Sequence, residues 1–268
     1  MADIAFKGGR IAYDVVGPTA PWSDAAPGIV FVHGIGADRN IWSDWRQVLS
    51  ARFRTVALEL PGHGHSFRPD TTLDWKIDDL AEMVHAVARD ADLERYILVG
   101  ESMGGTMCLV AATARSEVAA VVTCSTAHIG GTLGHVQNWR RQIAEQGFKA
   151  WSDEMIDKRF FAWQTDAARR QWFSDTQCAS DSETILQLAD VLVGLDHTEQ
   201  LAEITCPVLL IHPDSSPFIP LDIPVKLKQG LANGELMVIP GARHGIACSH
   251  GAECAHHAVR FLQRRQVV

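Results

Sequence analysis

The sequence Tyr96-Ile-Leu-Val-Gly-Glu-Ser-Met-Gly-Gly105 is a short apolar run that ends in the pattern Gly-x-Ser-x-Gly. β-Forming residues precede the pattern and the helix-compatible stretch 106–115 follows it, so it predicts a strand that enters a helix through a very tight turn. Such a turn holds its serine in a strained conformation with the hydroxyl exposed, and the glycines keep side chains out of the crowded turn. Ser102 is therefore the first candidate for a catalytic nucleophile.

Apolar runs alternate with longer amphipathic stretches on both sides of this pattern. The predicted strands, after an opening hairpin at 4–16 and a loop at 18–27, are 28–33, 54–60, 96–99, 118–124, 207–212 and 235–239. The predicted helices between and after them are 40–51, 73–91, 103–115 and 251–265. This alternation predicts an α/β fold, with a mostly parallel sheet covered by helices on both faces.

The alternation stops after the glycine pair at 130–131. As far as residue 201 the sequence is compatible only with helices, and it carries four of the eight tryptophans. We expect a single domain of residues 1–268 in which 130–201 is an inserted helical cap, with 1–129 and 202–268 as the core. Ligands of open α/β folds bind at the carboxyl edge of the sheet, where this cap would lie.

The aromatic residues of the predicted cap are candidates for contact with a substrate. Trp139, Phe160 and Trp163 are the ones we select, since a cap at this position would roof the binding site. Each of them has the alternative role of packing the cap onto the core, because large aromatic side chains dominate core burial.

Composition limits the classes of function. The chain has 268 residues, of which 47% are hydrophobic, and a formal net charge of −8, which argues against a nucleic-acid surface. No apolar run is long enough to span a membrane, and the first residues do not resemble a signal peptide, so we expect a cytoplasmic enzyme. The six cysteines lack metal-site spacing and read as buried free thiols. We expect a small-molecule substrate, no metal or cofactor, no nucleic-acid or membrane partner, and a monomer or homodimer.

A serine hydroxyl needs a base within hydrogen-bond reach, and the base needs a third group to orient it. His244 lies in a glycine-flanked loop after the last predicted strand and before the closing helix, so we expect it to be the base. An oxyanion hole needs two backbone N–H groups. We expect the N–H of Met103, directly after the nucleophile, and the N–H of Ile35, in the loop after strand 28–33. His33 is read as a residue that shapes this loop.

Four motifs in order resemble landmarks of the α/β-hydrolase fold over nearly the whole chain. They are His33-Gly34, Leu60-Pro-Gly-His-Gly-His-Ser66, Gly100-x-Ser-x-Gly104 and Gly241-x-x-His244. The cap resembles the 3-oxoadipate enol-lactonase-like branch in Trp139, Gly147, Arg159-Phe160, the stretch 194–198 and Ile204-Thr-Cys-Pro207. The resemblance implies an eight-stranded sheet and a triad of serine, acid and histidine.

The acid is displaced relative to this resemblance. The family usually has Gly-x-x-Asp-Pro here, whereas this chain has Pro213-Asp-Ser-Ser-Pro217, so Ser216 occupies the usual acid slot. Triads are defined by geometry, and a small rearrangement of the loop would bring Asp214 behind His244. We therefore expect Asp214 to be the triad acid, with Asp222 and Asp196 as alternatives.

These residues together predict a cofactor-independent serine hydrolase that cleaves a carboxylic ester or lactone of a small to medium, largely apolar substrate through an acyl-enzyme. Alternatives on the same fold are a carbon–carbon bond hydrolase of vinylogous diketones and a cofactor-free oxygenase. A ligand receptor that has lost catalysis is a further alternative, because a fold does not dictate a function.

Overall fold

A computed structural model of the protein describes residues 1–18, 27–69, 74–132 and 138–268. Across these ranges, eight strands form one sheet in the order β1-β2-β4-β3-β5-β6-β7-β8. The strands are Ala2–Phe6 (β1), Gly9–Val16 (β2), Gly28–Val32 (β3), Thr55–Leu58 (β4), Tyr96–Glu101 (β5), Val118–Cys124 (β6), Val208–Pro213 (β7) and Gly234–Ile239 (β8). β2 pairs antiparallel with β1 and with β4, and the remaining pairs are parallel. The predicted mostly parallel eight-stranded sheet is confirmed.

Helices cover both faces of this sheet. They are Ser43–Leu49 (α1), Ile77–Asp90 (α2), Met103–Ala111 (α3), Trp139–Gln146 (α4), Phe148–Arg159 (α5), Ala167–Ala179 (α6), Ser182–Val193 (α7), Asp222–Gly230 (α8), Ile246–Ser249 (α9) and Gly251–Arg264 (α10). Successive residues of a strand point to opposite faces. Accordingly Val30 packs in one core with α2 and α3, whereas Phe31 packs in a second core with α1 and α10.

The predicted elements agree with the observed ones to within a few residues, with some differences. The helix predicted at 40–51 begins as a 3₁₀ turn at Arg39–Trp42 before α1. Helices α8 and α9 were not predicted. Most of the loop predicted at 18–27, the first residue of the helix predicted at 73–91, and residues 133–137 of the predicted cap lie outside the described residues.

The stretch between β6 and β7 carries helices α4 to α7. Its two ends are joined by a short antiparallel bridge between Ile129 and Asp196 and by a 2.7 Å hydrogen bond from Gly130 N–H to the Leu195 carbonyl. The chain therefore leaves the sheet and returns to it at one place. Among the helices of the described ranges, none is both long and apolar enough to cross a lipid bilayer.

The six cysteines are free thiols, as the sequence indicated. Four of them are buried, at 108, 124, 248 and 254, and those at 178 and 206 are partly buried. No group of three or more histidine, cysteine, aspartate or glutamate side chains within the described part of the chain is arranged to hold a metal ion.

The turn between β5 and α3 is packed so closely that side chains are excluded from it. A Cβ atom on Gly104 would lie 2.1 Å from the carbonyl oxygen of Val32, and one on Gly105 would lie 1.9 Å from Oγ1 of Thr126. A Cβ on Gly100 would lie 2.4 Å from the Gly104 carbonyl oxygen. These distances confirm the predicted reason for the glycines.

We expect Gly104→Ala to lower the free energy of unfolding by about 1 to 3 kcal/mol, because the new methyl group meets backbone that cannot rotate away. The matched control is Gly131→Ala, since a Cβ on Gly131 would meet nothing within 4 Å. Urea denaturation of both variants measures the difference. Equal stability of the two would contradict the account of the turn.

Candidate active site

Ser102 stands at the junction of β5 and α3 in a conformation that non-glycine residues seldom adopt. Its φ is 54° and its ψ is −120°. Such a residue carries about 1 to 3 kcal/mol of strain and persists only where the surrounding structure enforces it. The backbone is fixed on both sides, because Ser102 N–H donates to the Cys124 carbonyl at 2.8 Å and Thr106 N–H donates to the Ser102 carbonyl at 3.1 Å.

His244 lies in the loop between β8 and α9 and reaches back to this serine. Its Nε2 atom is 2.9 Å from Oγ of Ser102. The loop is held in place by the hydroxyl of Ser125, which donates to the His244 carbonyl at 2.6 Å. The structure thus brings together the two residues that the sequence selected as nucleophile and base.

The other ring nitrogen of His244 faces a hydroxyl group. Nδ1 of His244 lies 3.2 Å from Oγ of Ser216, and Ile219 N–H donates to the same oxygen at 3.2 Å. If Nε2 is to accept the proton of Ser102, then Nδ1 must carry the ring hydrogen and donate it to Ser216. A role of His244 as base therefore requires this tautomer, with Ser216 as the third member of the chain of contacts.

The expectation that Asp214 orients His244 is corrected by this geometry. The Asp214 carboxylate accepts hydrogen bonds from Gly241 N–H at 2.8 Å, from Ala242 N–H at 3.3 Å and from the Ser215 hydroxyl at 2.8 Å. These bonds, led by the one from Gly241, lower the pKa of Asp214. The loop after β7 thus turns Asp214 toward backbone and turns Ser216 toward the histidine.

The two alternative acids also have other partners. Asp222 pairs with Lys226 at 2.9 Å, and Asp196 accepts from the N–H and hydroxyl of Thr198. Their side chains stabilise local turns and a helix, so neither takes the third position.

Burial controls the charge of His244, which is 4% exposed. Loss of hydration lowers the pKa of His244 well below its usual value, and the positive charge of Arg159 and the neighbouring His212 lower it further. His212 is itself neutral near pH 7, because burial lowers its pKa to about 4. His244 is therefore an uncharged imidazole at neutral pH, ready to accept a proton, while the Ser216 hydroxyl brings no negative charge to balance an imidazolium.

Two buried histidines hold the loop that follows β3. His33 donates from Nδ1 to the Gly34 carbonyl at 2.8 Å and accepts from Leu60 N–H at Nε2, 3.1 Å away. His63 accepts from Gly36 N–H at 2.9 Å. Burial lowers the pKa of His33 to about 4 and that of His63 to about 3, so both rings are neutral. The expected role of His33 in shaping the loop is confirmed.

This loop carries Ile35, one of the two expected oxyanion donors. Ile35 and Ser102 line the same cavity. The second expected donor, Met103, is the first residue of α3. N–H groups in the first turn of a helix have no intrahelical acceptor, and the helix dipole favours negative charge there. A carbonyl oxygen beside Ser102 would meet such a donor.

The cavity beside Ser102 and His244 is small and mostly apolar. Its apolar lining consists of Ile35, Ala127, Trp139, Leu192, Phe218 and Ile219. Its volume is about 30 Å³. A cavity of this size holds roughly two water molecules.

Of the three aromatic residues predicted to contact a substrate, Trp139 alone lines this cavity. Phe160 is buried against Phe173, with ring centroids 5.2 Å apart. Trp163 is 70% exposed and stacks on Phe161. Phe160 therefore packs against a neighbouring helix and Trp163 faces solvent, so neither lines the cavity, and their contact with a substrate stays a prediction.

Three polar residues of the site were missed. Ser216 was noted only as the occupant of the usual acid slot. His63 belongs to the quoted stretch 60–66, which was the available signal. Arg159 was named for the resemblance of Arg159-Phe160 to the enol-lactonase-like branch, whereas it is buried and lines the cavity.

Comparison with known proteins gives a family. A model of the alpha/beta hydrolase family matches residues 29–259. A pimeloyl-acyl-carrier protein methyl ester esterase of Vibrio atlanticus is 25% identical, over 90% of this chain and 96% of its own. A 2-hydroxy-6-oxo-6-(2'-aminophenyl)hexa-2,4-dienoic acid hydrolase of Metapseudomonas resinovorans is 26% identical, over 88% and 84%. The enol-lactonase of Burkholderia xenovorans LB400 has a similar structure, with a TM-score of 0.85 and 22% identity over 98% of this chain and 100% of that one.

Exchange of Ser216 should affect the rate more than exchange of Asp214. We expect Ser216→Ala to lower kcat/KM on a p-nitrophenyl ester about tenfold, the equivalent of one lost hydrogen bond at Nδ1. Asp214→Asn should stay within about twofold, since its contacts do not reach the ring. A large loss in Asp214→Asn with none in Ser216→Ala would restore Asp214 as the orienting acid.

The pH dependence of kcat/KM should show that no carboxylate stands beside Nδ1 of His244. Because the pKa of His244 is well below 6.5, kcat/KM should hold its plateau as the pH falls below 6.5 and decline only where the ring protonates. In Ser216→Asp a carboxylate would stabilise the imidazolium, raise the pKa of His244 by about 1 to 3 units and move the acid limb to higher pH. The plateau should rise by about tenfold or more.

Ser216→Asn is the control for this prediction, since it places a polar group of the same size at Nδ1 without charge. Its acid limb should stay near that of the unaltered protein. Identical pH profiles for the aspartate and asparagine variants would show that position 216 does not act on His244 by charge.

Proposed function

Because the chain belongs to the alpha/beta hydrolase family, we propose that it is a serine hydrolase that cleaves a carboxylic ester or lactone through an acyl-enzyme. The observation that carries the proposal is the 2.9 Å contact between Oγ of Ser102 and Nε2 of His244. This contact joins a strained, partly buried serine to a neutral base beside an apolar cavity, which is what nucleophilic catalysis requires.

In the acylation step, Oγ of Ser102 attacks the carbonyl carbon and its proton passes to Nε2 of His244. The negative charge that forms on the carbonyl oxygen is held by the N–H groups of Ile35 and Met103. His244 then gives the proton to the leaving oxygen, and the bond between that oxygen and the carbonyl carbon breaks.

In the deacylation step, a water molecule gives a proton to His244 and attacks the acyl carbon. The same two N–H groups hold the oxyanion again. Collapse of this intermediate releases the acid and returns the proton from His244 to Ser102. In both steps Nδ1–H of His244 donates to Ser216, which keeps Nε2 aimed at the reacting atoms.

The substrate class follows from the strength of this base. An imidazole with a low pKa is a weaker base, and a weaker base removes the serine proton less readily. Esters and lactones with good leaving groups, such as enols and phenols, make a smaller demand on it than alkyl esters do. The small apolar cavity further favours a short acyl group. Both features support an enol or aryl ester, or an enol-lactone.

Carbon–carbon bond hydrolysis is the second candidate. The dienoic acid hydrolase among the relatives is as similar to this chain as the esterase is, with 26% against 25% identity. The two reactions are separated by their products, since cleavage of a vinylogous diketone releases a carboxylic acid and a ketone or its enol.

The proposal is tested by acid release in a pH-stat over esters, lactones and enol-lactones of graded acyl length and leaving-group pKa, with the Ser102→Ala protein as the blank. We expect acid release that depends on Ser102, faster for short acyl groups and for enol or aryl leaving groups. A vinylogous diketone belongs in the same panel. No release above the blank from any ester or lactone would overturn ester hydrolysis, and release from the diketone alone would establish the second candidate.

A further inference from the structure

Arg159 is the last residue of α5, in the insertion between β6 and β7, and it reaches three separate segments of the site. Its Nη2 group donates to the Ile35 carbonyl at 2.5 Å. Its Nη1 atom lies 3.6 Å from Oε1 of Glu101. Its own carbonyl accepts from Gly245 N–H at 3.0 Å. The side chain is 5% exposed, so these contacts are made away from bulk water.

Each of these contacts lies next to a reacting group. Ile35 carries one of the proposed oxyanion donors, Glu101 precedes Ser102, and Gly245 follows His244. A single residue of the insertion therefore touches the loops that carry the oxyanion donor, the nucleophile and the base.

Glu101 is a buried carboxylate beneath the oxyanion loop, and Arg159 is the positive group beside it. Burial raises the pKa of Glu101, while Arg159 and the Gly34 N–H favour its charged form. A Cβ on Gly34 would lie 2.2 Å from Oε2 of Glu101, so the oxyanion loop passes directly over this carboxylate. An uncompensated negative charge here would oppose the oxyanion that forms at Ile35, since charges interact strongly in a low-dielectric interior.

We propose that Arg159 is a positioning residue that joins the Ile35 carbonyl to the Glu101 carboxylate, and so holds the oxyanion loop in place and cancels the charge beneath it. This inference rests on the proposed function, since it assigns the loop its role in binding an oxyanion. Arg159 acts through Ile35 and Glu101 and does not itself touch the reacting atoms.

The guanidinium group suits this task because its planar fork donates from Nη2 to the Ile35 carbonyl while Nη1 lies within ion-pair distance of Glu101. Two further contacts fix the guanidinium plane of Arg159. Its Nε donates to Oε1 of Gln177 at 3.3 Å, and its Cζ lies 5.1 Å from the centre of the Phe173 ring. Gln177 is itself held by the carbonyl and hydroxyl of Ser152. A lysine would keep the charge but lose the fork.

The test follows the rate at which a neutral fluorophosphonate ester modifies Ser102. In this reaction the bond from Oγ to phosphorus forms, the phosphorus–fluorine bond breaks, fluoride leaves and the serine proton passes to His244. The rate reports the assembled nucleophile, base and oxyanion donors without knowledge of the natural substrate. Modification is located by mass spectrometry, with Ser102→Ala as the blank.

We expect Arg159→Met to react on the order of 100-fold more slowly, as for the loss of an oxyanion donor. Arg159→Lys should lose about tenfold or more, because one ammonium group cannot replace the fork. Glu101→Gln should remain within about threefold, since its side chain still accepts hydrogen bonds. In Arg159→Met with Glu101→Gln, the unpaired charge is gone, so the rate should recover about tenfold from that of Arg159→Met.

Arg140→Met is the matched control, because Arg140 is a cap arginine that is exposed and paired with Glu183 and Asp190. Its rate should equal that of the unaltered protein. If Arg159→Met alone does not fold, the double variant carries the test, and it should react about tenfold more slowly than Glu101→Gln because the Ile35 bond is lost.

The pH profile of the reaction separates positioning by charge from support of the fold. The charged and titratable groups that face His244 are Arg159 from α5 and the neutral His212 from β7, beside the hydroxyls of Ser102 and Ser216. Removal of the Arg159 charge raises the pKa of His244, so the acid limb of Arg159→Met should move to higher pH. The limb of Arg159→Lys should stay in place.

Three results would overturn the inference. The first is an Arg159→Met protein that reacts as fast as the unaltered one. The second is a double variant that reacts no faster than a folded Arg159→Met. The third is an unchanged probe rate combined with a raised KM for esters that carry a carboxylate, which would make Arg159 a substrate-binding residue. An unaltered protein that the probe does not modify at Ser102 would instead contradict the proposed function.

Discussion

The approach of α3 to the end of β3 is the constraint on which the site depends. The backbone at Gly104 leaves no space for a Cβ against the Val32 carbonyl, which it would approach to 2.1 Å. A helix this close to the neighbouring strand can follow β5 only through a very short turn, and the residue in that turn must take a positive φ. The same packing that exposes the Ser102 hydroxyl therefore sets the first N–H of α3 beside it and brings the loop after β3 across it.

The position beside Nδ1 of His244 is occupied by Ser216 and not by Asp214, and the hydrogen bonds of the loop after β7 explain why. Asp214 already accepts from two backbone N–H groups of the loop after β8. Moving its carboxylate to His244 would leave these donors unpaired, and a buried carboxylate would also lose hydration. Ser216 meets neither cost, because it is uncharged and its hydroxyl oxygen accepts from Nδ1–H and from Ile219 N–H. The loop thus gains a satisfied hydrogen-bond network at the expense of charge on the orienting group.

Some features of the fold and of the site could be predicted from the sequence, and others depend on side-chain directions that the sequence does not give. Apolar periodicity located the strands, and the glycines around Ser102 and His244 identified two loops at strand ends. Helix α8 was not predicted, and its Pro224 lies in the first turn, where proline is tolerated. Asp214 was selected over Ser216 because chain order identifies a loop but not the direction of its side chains. Arg159 was missed because its partner Glu101 is distant in sequence.

The uncharged Ser216 and the buried Arg159 both affect the same step of the proposed reaction, the transfer of a proton to His244. Where a carboxylate stands behind the histidine, the imidazolium formed in that step has a permanent counter-charge. Here Ser216 offers none and the nearby Arg159 is itself positive, so the main counter-charge is the oxyanion formed at the same moment. Attraction between these two charges in a mostly apolar cavity depends on their separation. That separation is set by the loops of Ile35 and His244, and Arg159 contacts both, through the Ile35 carbonyl and Gly245 N–H. In the proposed reaction, the lack of charge at position 216 would therefore make the placement of Arg159 a determinant of the energy of the transition state.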